Sequence, residues 1–237
     1  MKAMIFAAGL GTRFKPWTDE HPKALAIINH KSLLQRNIEY LQSFDIREVV
    51  VNVHHFSSQI REAVKANNGW GSDIMFSDES GELLDTGGGL IKAKDYLEDG
   101  PFLTLNADIL TDLDLGKMIE KHQRSEALIT CGVTNRKSSR QLLFDQFSRL
   151  CGWRNTDLGK EKLVLPVITL HPMAYSCISI FQQQVFEMSK LTGKFSLIDL
   201  FLELGEGNII VGYDHTGDKF IDVGKVESVK EAERMFD

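Results

Sequence analysis

The sequence predicts a three-layer α/β fold, with a mixed, mostly parallel sheet between helices and a small lid region over one side of a cleft. Three observations carry that expectation. Apolar strand-like runs alternate with amphipathic stretches through the first half. A glycine turn, Gly9-Leu10-Gly11, follows the first such run, and two later apolar runs end on aspartates, Asp108 and Asp222. An alternating βα rhythm gives parallel strands with right-handed crossovers, and ligands gather at the carboxyl ends of such strands.

Taken in order, Ala3–Ala8 reads as the first strand. Ser32–Phe44 puts Leu33, Leu34, Asn37, Ile38 and Leu41 on one helical face. Glu48–Val53 is β-branched and strand-like, and Ser57–Lys65 is helical with Ser57 or Ser58 as its cap. Asp73–Phe76 is a short strand, Leu90–Leu97 a helix, and Phe102–Leu105 an apolar strand running into Asn106-Ala107-Asp108. Leu113–His122 reads as a helix and Ala127–Val133 as a strand. In the less regular second half, Leu142–Trp153 and Leu163–Thr169 look like hairpin or loop material. Met173–Phe181 is a strand, Phe195–Leu204 a helix, Ile209–Tyr213 and Lys219–Asp222 short strands, and Glu227–Met235 a closing helix. A single domain over 1–237 is expected, its first half about 1–110 and its second about 111–237, the latter completing the sheet and forming the lid.

Composition narrows the function class. Apolar residues make up 43% and charged residues 25%, as in ordinary soluble domains. The longest apolar runs, such as Ala3–Leu10, fall far short of the ~20 residues of a membrane span, so no membrane association is expected. The N-terminal run leads straight into glycines with no small-residue cleavage site, and reads as a strand rather than a leader. A net charge of −6 excludes a global nucleic-acid footprint, although cations concentrated in one cleft still hold a polyanion. Cys131, Cys151 and Cys177 form no C-x-x-C pair and read as reduced thiols, which fits a cytoplasmic location. A monomer or small homo-oligomer is expected.

The segment from Ala8 to Leu25 carries the chemistry. Glycines directly after a strand let backbone amides approach a phosphate. A dinucleotide fingerprint requires glycine where Phe14 stands, and a Walker loop requires Gly-Lys-Ser/Thr; neither is present. What remains is a glycine turn with Arg13, Lys15 and Lys23 close behind it and Pro16 and Pro22 stiffening it. At the other strand tips, one aspartate alone ordinarily caps a turn. Two such tips in a phosphate-binding fold point instead to a clamp for Mg²⁺, which favours a few carboxylates plus water and phosphate oxygens.

The loop resembles the G-x-G-T-R-x-x-P-x-T-x-x-x-P-K-x-L signature of sugar-phosphate nucleotidyltransferases. It matches at Gly9, Gly11, Thr12, Arg13, Pro16, Thr18, Pro22, Lys23 and Leu25. The resemblance implies a Rossmann-like enzyme that joins a nucleoside monophosphate from an NTP to a sugar 1-phosphate, with Mg²⁺ as cofactor and pyrophosphate as leaving group. It implies nucleotide contacts from Ala8, Gly9, Gly11, Thr12 and Arg13, and makes Arg13, Lys23 and Asp108 the catalytic candidates. The metal ligands it implies are Asp108 and Asp222. Ala107 stands where the family usually has glycine; if that position needs positive φ, the methyl group costs on the order of a kcal/mol.

Leu84-Asp85-Thr86-Gly87-Gly88-Gly89, ahead of a helix, resembles the family's Leu-x-Thr-Gly-Gly/Ala segment. That implies base contacts near Asp85, Thr86 and Gly87, and sugar contact through Gly88. The remaining acceptor candidates by resemblance are Asn106, Arg140 and Cys177, the last standing where relatives have glycine beside the sugar. The branch that the chain resembles is the N-acetylmuramate 1-phosphate uridylyltransferases, with mannose- and heptose-1-phosphate guanylyltransferases also similar. A non-catalytic nucleotide-sugar sensor, suggested by Ala107 and Cys177, is the alternative from another class. His54 and His55 read as surface histidines, and no Ser-His-Asp or Cys-His arrangement stands out.

Overall fold

A computed structural model of the chain describes residues 1–236. Its main sheet has ten strands. Eight lie in the order Lys160–Leu163, Leu150–Asn155, Arg140–Phe144, His171–Phe181, Phe102–Asn106, Lys2–Phe6, Glu48–Val53, Asp73–Asp78. Ile129–Thr134 pairs with His171–Phe181 and with Ile210–Asp214. The sheet is mixed, as expected, but its parallel character is concentrated in the first half. Lys2–Phe6 runs parallel to both neighbours, and Glu48–Val53 to Asp73–Asp78. Among the described strands of the second half, only the Ile129–Thr134/Ile210–Asp214 pair is parallel. Hairpins join the strands from Arg140 to Leu163, and short hairpin links make antiparallel neighbours.

Alternation along the first strand explains the three layers. Ala3 and Ile5 face a core built with Leu34, Ile38, Leu41, Ile60, Leu115 and Met118. Met4 and Phe6 face the opposite core, with Leu90, Leu97, Leu200, Phe201 and Leu204. Each strand residue turned to one side is therefore buried under helices on that side. A third cluster, with Phe14, Ile28, Leu33, Leu110, Ile221, Val223 and Ala232, ties the phosphate loop to the closing helix Glu227–Met235.

Several element boundaries differ from the sequence expectation. Helix Leu33–Gln42 starts after Ser32, whose hydroxyl accepts from the Gln35 amide at 3.1 Å. Helix Ser57–Ala66 is preceded by Phe56 in a left-handed conformation, with no side-chain cap, so neither Ser57 nor Ser58 caps it. The helix expected from Leu90 starts at Asp85, so the glycines lie inside Asp85–Lys92, and Lys94–Leu97 is a separate turn. Of the two alternatives for Leu142–Trp153, hairpin or loop, the hairpin forms, from the paired strands Arg140–Phe144 and Leu150–Asn155. Ile109–Thr111 pairs antiparallel with Phe220–Asp222, a ribbon of three-residue strands too short to show periodicity.

One buried histidine makes stability pH-dependent. His122, 1% exposed, bonds Thr130 Oγ1 through Nδ1 at 2.8 Å and the Gln182 amide through Nε2 at 3.0 Å. Desolvation pushes its pKa down to about 4. The neutral ring stabilises the fold above pH ~6.5, and this contribution, on the order of 3 kcal/mol, is lost as pH falls from ~6.5 towards ~4. The urea midpoint is expected to drop over this range, and His122→Gln to flatten the dependence. An unchanged slope in His122→Gln contradicts the assignment.

Candidate active site

The phosphate loop leaves the central strand as a braced turn. Ala7 and Ala8 are buried, and their amides donate to Asn52 Oδ1 at 2.7 and 3.3 Å. Gly9 follows in the open, and Gly11 adopts φ 59°, a left-handed conformation that glycine takes without strain. A Cβ there would stand 2.9 Å from Thr18 Cγ2. The Gly11 carbonyl accepts from the Phe14 amide at 2.7 Å and from Thr18 Oγ1 at 2.9 Å. Thr12–Phe14 is a short 3₁₀ turn that buries Phe14 and leaves Thr12 and Arg13 exposed at the cleft.

The cleft, about 270 Å³, is lined by this loop, by Lys23, and by Thr86, Asn106 and Asp108. Lys23 pairs with Asp108. The ribbon of Ile109–Thr111 and Phe220–Asp222 sets Asp222 opposite Ile109, and the Val223 amide donates to the Asp108 carbonyl at 2.9 Å. The two carboxylates therefore come from adjoining strand ends. Desolvation raises the Asp222 pKa and the Asp108 charge raises it further, while Lys23, Arg13 and Arg136 pull it down. Gly224 keeps the space over Asp222 open: a Cβ there would lie 2.7 Å from Asp222 Oδ1 and 3.1 Å from Arg13 Nη2.

This donor set fits Mg²⁺. The Asp108 and Asp222 carboxylates, beside Lys23, Arg13 and Arg136, are the hard oxygen donors that would hold a divalent cation there. Among the described residues no group of three or more His, Cys, Asp or Glu is placed to hold a metal. Two protein carboxylates, completed by phosphate and water, are what a substrate-bound Mg²⁺ takes. The strain considered for Ala107 does not arise, because Ala107 is absent from the residues with positive φ. Its amide donates to the Phe6 carbonyl at 3.0 Å and its carbonyl accepts from Asn37 Nδ2 at 2.9 Å.

The opposite wall departs more from expectation. Asn106 ends its strand at the cleft. Cys177 lies in the stretch where the pairing register shifts between Tyr175 and Ser179, with φ 57°, a conformation few side-chain-bearing residues adopt. Burial pushes its thiol up to about 12, and Asp108 and Asp222 push the same way, so it stays protonated. Arg140 is exposed at the start of its strand, opposite Asn155 in the hairpin, and does not line the cleft. Arg136, at the other end of the same segment, lies nearer the carboxylates and lowers the Asp222 pKa, although it too does not line the cleft. Its Nη2 donates to the Tyr175 carbonyl at 2.7 Å and its guanidinium lies 4.7 Å from the Phe220 ring centroid. That holds a fork-shaped cation between the strand end bearing Asp222 and the bend at Cys177.

The glycine segment is used differently from what its resemblance implies. Gly87 and Gly88 are buried, and their amides donate to the Phe195 carbonyl at 2.9 and 3.1 Å. Those two donors are therefore already engaged, which counts against nucleotide contact by Gly87 and sugar contact by Gly88. Thr86 does line the cleft, and its hydroxyl accepts from the Leu197 amide at 3.0 Å. Asp85 is exposed at φ 61°, its carboxylate accepting from the Thr86 amide at 2.6 Å. His54 is engaged through Nδ1 with the Glu79 carbonyl at 2.7 Å, a structural contact.

The family model described as nucleotidyl transferase matches residues 2–142, more than half of the chain and all of the phosphate loop. The chain belongs to the nucleotidyl transferase family. It is similar to the N-acetylmuramate alpha-1-phosphate uridylyltransferase of Neisseria meningitidis serogroup B, 28% identical over 236 residues, covering 99% of this chain and 98% of that one. It is also similar to a probable mannose-1-phosphate guanylyltransferase 2 of Arabidopsis thaliana, 36% identical over 129 residues, 52% of this chain and 35% of that one. The fold matches HddC from Yersinia pseudotuberculosis, complexed with GMP-PN, with TM-score 0.81 and 24% identity over 100% of this chain and 99% of that chain.

Proposed function

We propose that this nucleotidyltransferase transfers UMP from UTP to N-acetylmuramate 1-phosphate in the cytoplasm, with Mg²⁺ held by Asp108 and Asp222. The observation that carries the substrate choice is the end-to-end likeness to a uridylyltransferase named for that sugar phosphate. GTP with mannose 1-phosphate is the second reading, favoured by the guanylyltransferase likeness over half of the chain. When bound, Mg²⁺ neutralises phosphate charge and polarises the reacting phosphoryl group.

The chain's own residues supply the rest. Arg13 and the open backbone at Gly9 and Gly11 bind the triphosphate, with Thr86 bordering the same cleft. A phosphate oxygen of the sugar 1-phosphate attacks the α-phosphorus; the bond to the β-phosphate breaks, and pyrophosphate leaves with that electron pair. Lys23 stabilises the charge shared by attacking and leaving groups. No protein nucleophile is needed, so a protonated Cys177 is no obstacle. Arg136, fixed by Tyr175 and Phe220, grips the acceptor's anionic group, and Asn106 contacts its sugar. Since Ala107 carries no left-handed strain, the sensor alternative loses one of its two motives.

The test is a panel of the four NTPs against N-acetylmuramate, N-acetylglucosamine, mannose and glucose 1-phosphates, with Mg²⁺ and pyrophosphatase. Phosphate from UTP with N-acetylmuramate 1-phosphate alone supports the first reading, and from GTP with mannose 1-phosphate the second. Arg136→Met is expected to raise KM for the sugar phosphate about ten- to hundredfold, the scale of a lost charged hydrogen bond, with KM for the NTP nearly unchanged. Equal rises in both constants contradict the acceptor role.

A further inference from the structure

Behind the cleft lies a polar chain that touches no substrate group assigned above. The Ala7 and Ala8 amides donate to Asn52 Oδ1. Asn52 Nδ2 donates to Glu79 Oε1 at 2.6 Å, and Glu79 Oε2 accepts from the Leu84 amide at 3.1 Å. Asn52 is 3% exposed and Glu79 is 0% exposed. No ion pair within 4 Å joins Glu79 to a cation among the described residues. A Cβ at Gly89 would stand 2.6 Å from Glu79 Oε1, so the helix backbone lies directly against this carboxylate.

The polarity of this chain is determined end to end. Backbone amides occupy both termini and only donate. Asn52 must turn its oxygen to Ala7 and Ala8 and its nitrogen to Glu79, which accepts on both of its oxygens. Burying such polar groups is unfavourable unless each one that faces protein is paired. The chain links the phosphate loop to the segment 79–89, whose Thr86 borders the same cleft.

We propose that Asn52 and Glu79 are positioning residues that set the phosphate loop and the 79–89 segment in register, so that triphosphate bound at the loop orders that segment. The proposal rests on the reading of the cleft as the NTP site. Glu79→Gln places an amide NH₂ against either Asn52 Nδ2 or the Leu84 amide; turning Asn52 over moves the clash to Ala7 and Ala8. No arrangement satisfies the chain. The double variant Asn52→Asp with Glu79→Gln restores it with reversed polarity. The carboxylate introduced at position 52 accepts from Ala7, from Ala8 and from the amide NH₂ introduced at position 79. The carbonyl oxygen of that same amide accepts from Leu84.

Hydrogen exchange with inorganic tripolyphosphate tests this without requiring turnover, so it stays readable even if no sugar phosphate is consumed. In the wild type, tripolyphosphate is expected to slow exchange at residues 8–13 and at 79–89. In Glu79→Gln, with tripolyphosphate at saturation, the slowing should remain at 8–13 and vanish at 79–89, and the double variant should regain it. In turnover, KM for the NTP should rise about tenfold or more in Glu79→Gln, with KM for the sugar phosphate unchanged, and recover in the double variant. Slowing confined to 8–13 in the wild type overturns the proposal. So does wild-type slowing at 79–89 in Glu79→Gln, or a double variant no better than the single one.

Discussion

Asp108→Asn lowers kcat by about two to three orders of magnitude while the protein remains folded. The side chain keeps its shape, and the backbone of residue 108 keeps its bond from Val223, so the change is chiefly one of charge. Three consequences follow from the site. The proposed metal clamp keeps only Asp222. Lys23 loses the carboxylate it pairs with. The Asp222 carboxyl loses the like charge that raises its pKa and becomes more acidic. Losing one charge-stabilising group in a preorganised site costs about 3–4 kcal/mol of transition-state stabilisation. The wild type is expected to show a Mg²⁺-dependent rise in melting temperature with UTP and this variant to lack it, a readout independent of turnover. A variant that keeps most of its rate and its Mg²⁺ response removes Asp108 from the metal site.

The second large effect is on the fold. Gly88→Ala is expected to lower the melting temperature by about 10 °C, from a loss of about 3 kcal/mol. The added Cβ would stand 2.2 Å from the Gly193 carbonyl oxygen and 3.0 Å from Leu84 Cβ. The first of these is backbone, so it cannot swing aside as a side-chain tip does. Relief requires the helix Asp85–Lys92 to withdraw from residues 193–196, breaking the amide bonds of Gly87 and Gly88 to Phe195. A melting temperature within about 2 °C of wild type contradicts this account of why glycine stands at 88.

The first half of the fold was legible because its elements are long and periodic. Leu34, Ile38 and Leu41 mark a helix face, and Val49 to Val53 a buried strand, without help from tertiary contacts. The phosphate loop was legible because glycine, proline and clustered cations each have a local physical meaning. Other features depend on partners far along the chain. Arg136 and Arg140 are equivalent by residue type; only the fold separates them, tying Arg136 to the Tyr175 carbonyl and leaving Arg140 in solvent at the start of the hairpin. Gly87 and Gly88 read as ligand-facing, but the Phe195 carbonyl more than a hundred residues later claims their amides. Asn52 and Glu79 carried no signal, since a polar residue ending an apolar run reads equally well as a turn. Their role depends on the parallel neighbours Lys2–Phe6 and Asp73–Asp78 flanking Glu48–Val53.

The most direct test of the central claim is pyrophosphate release by the wild-type protein supplied with UTP, N-acetylmuramate 1-phosphate and Mg²⁺, with each omitted in turn. The account predicts release only when all three are present, matched mole for mole by a UDP-sugar identified by mass. UTP binding measured by calorimetry, with no pyrophosphate from this or any other NTP and sugar 1-phosphate pair, contradicts it.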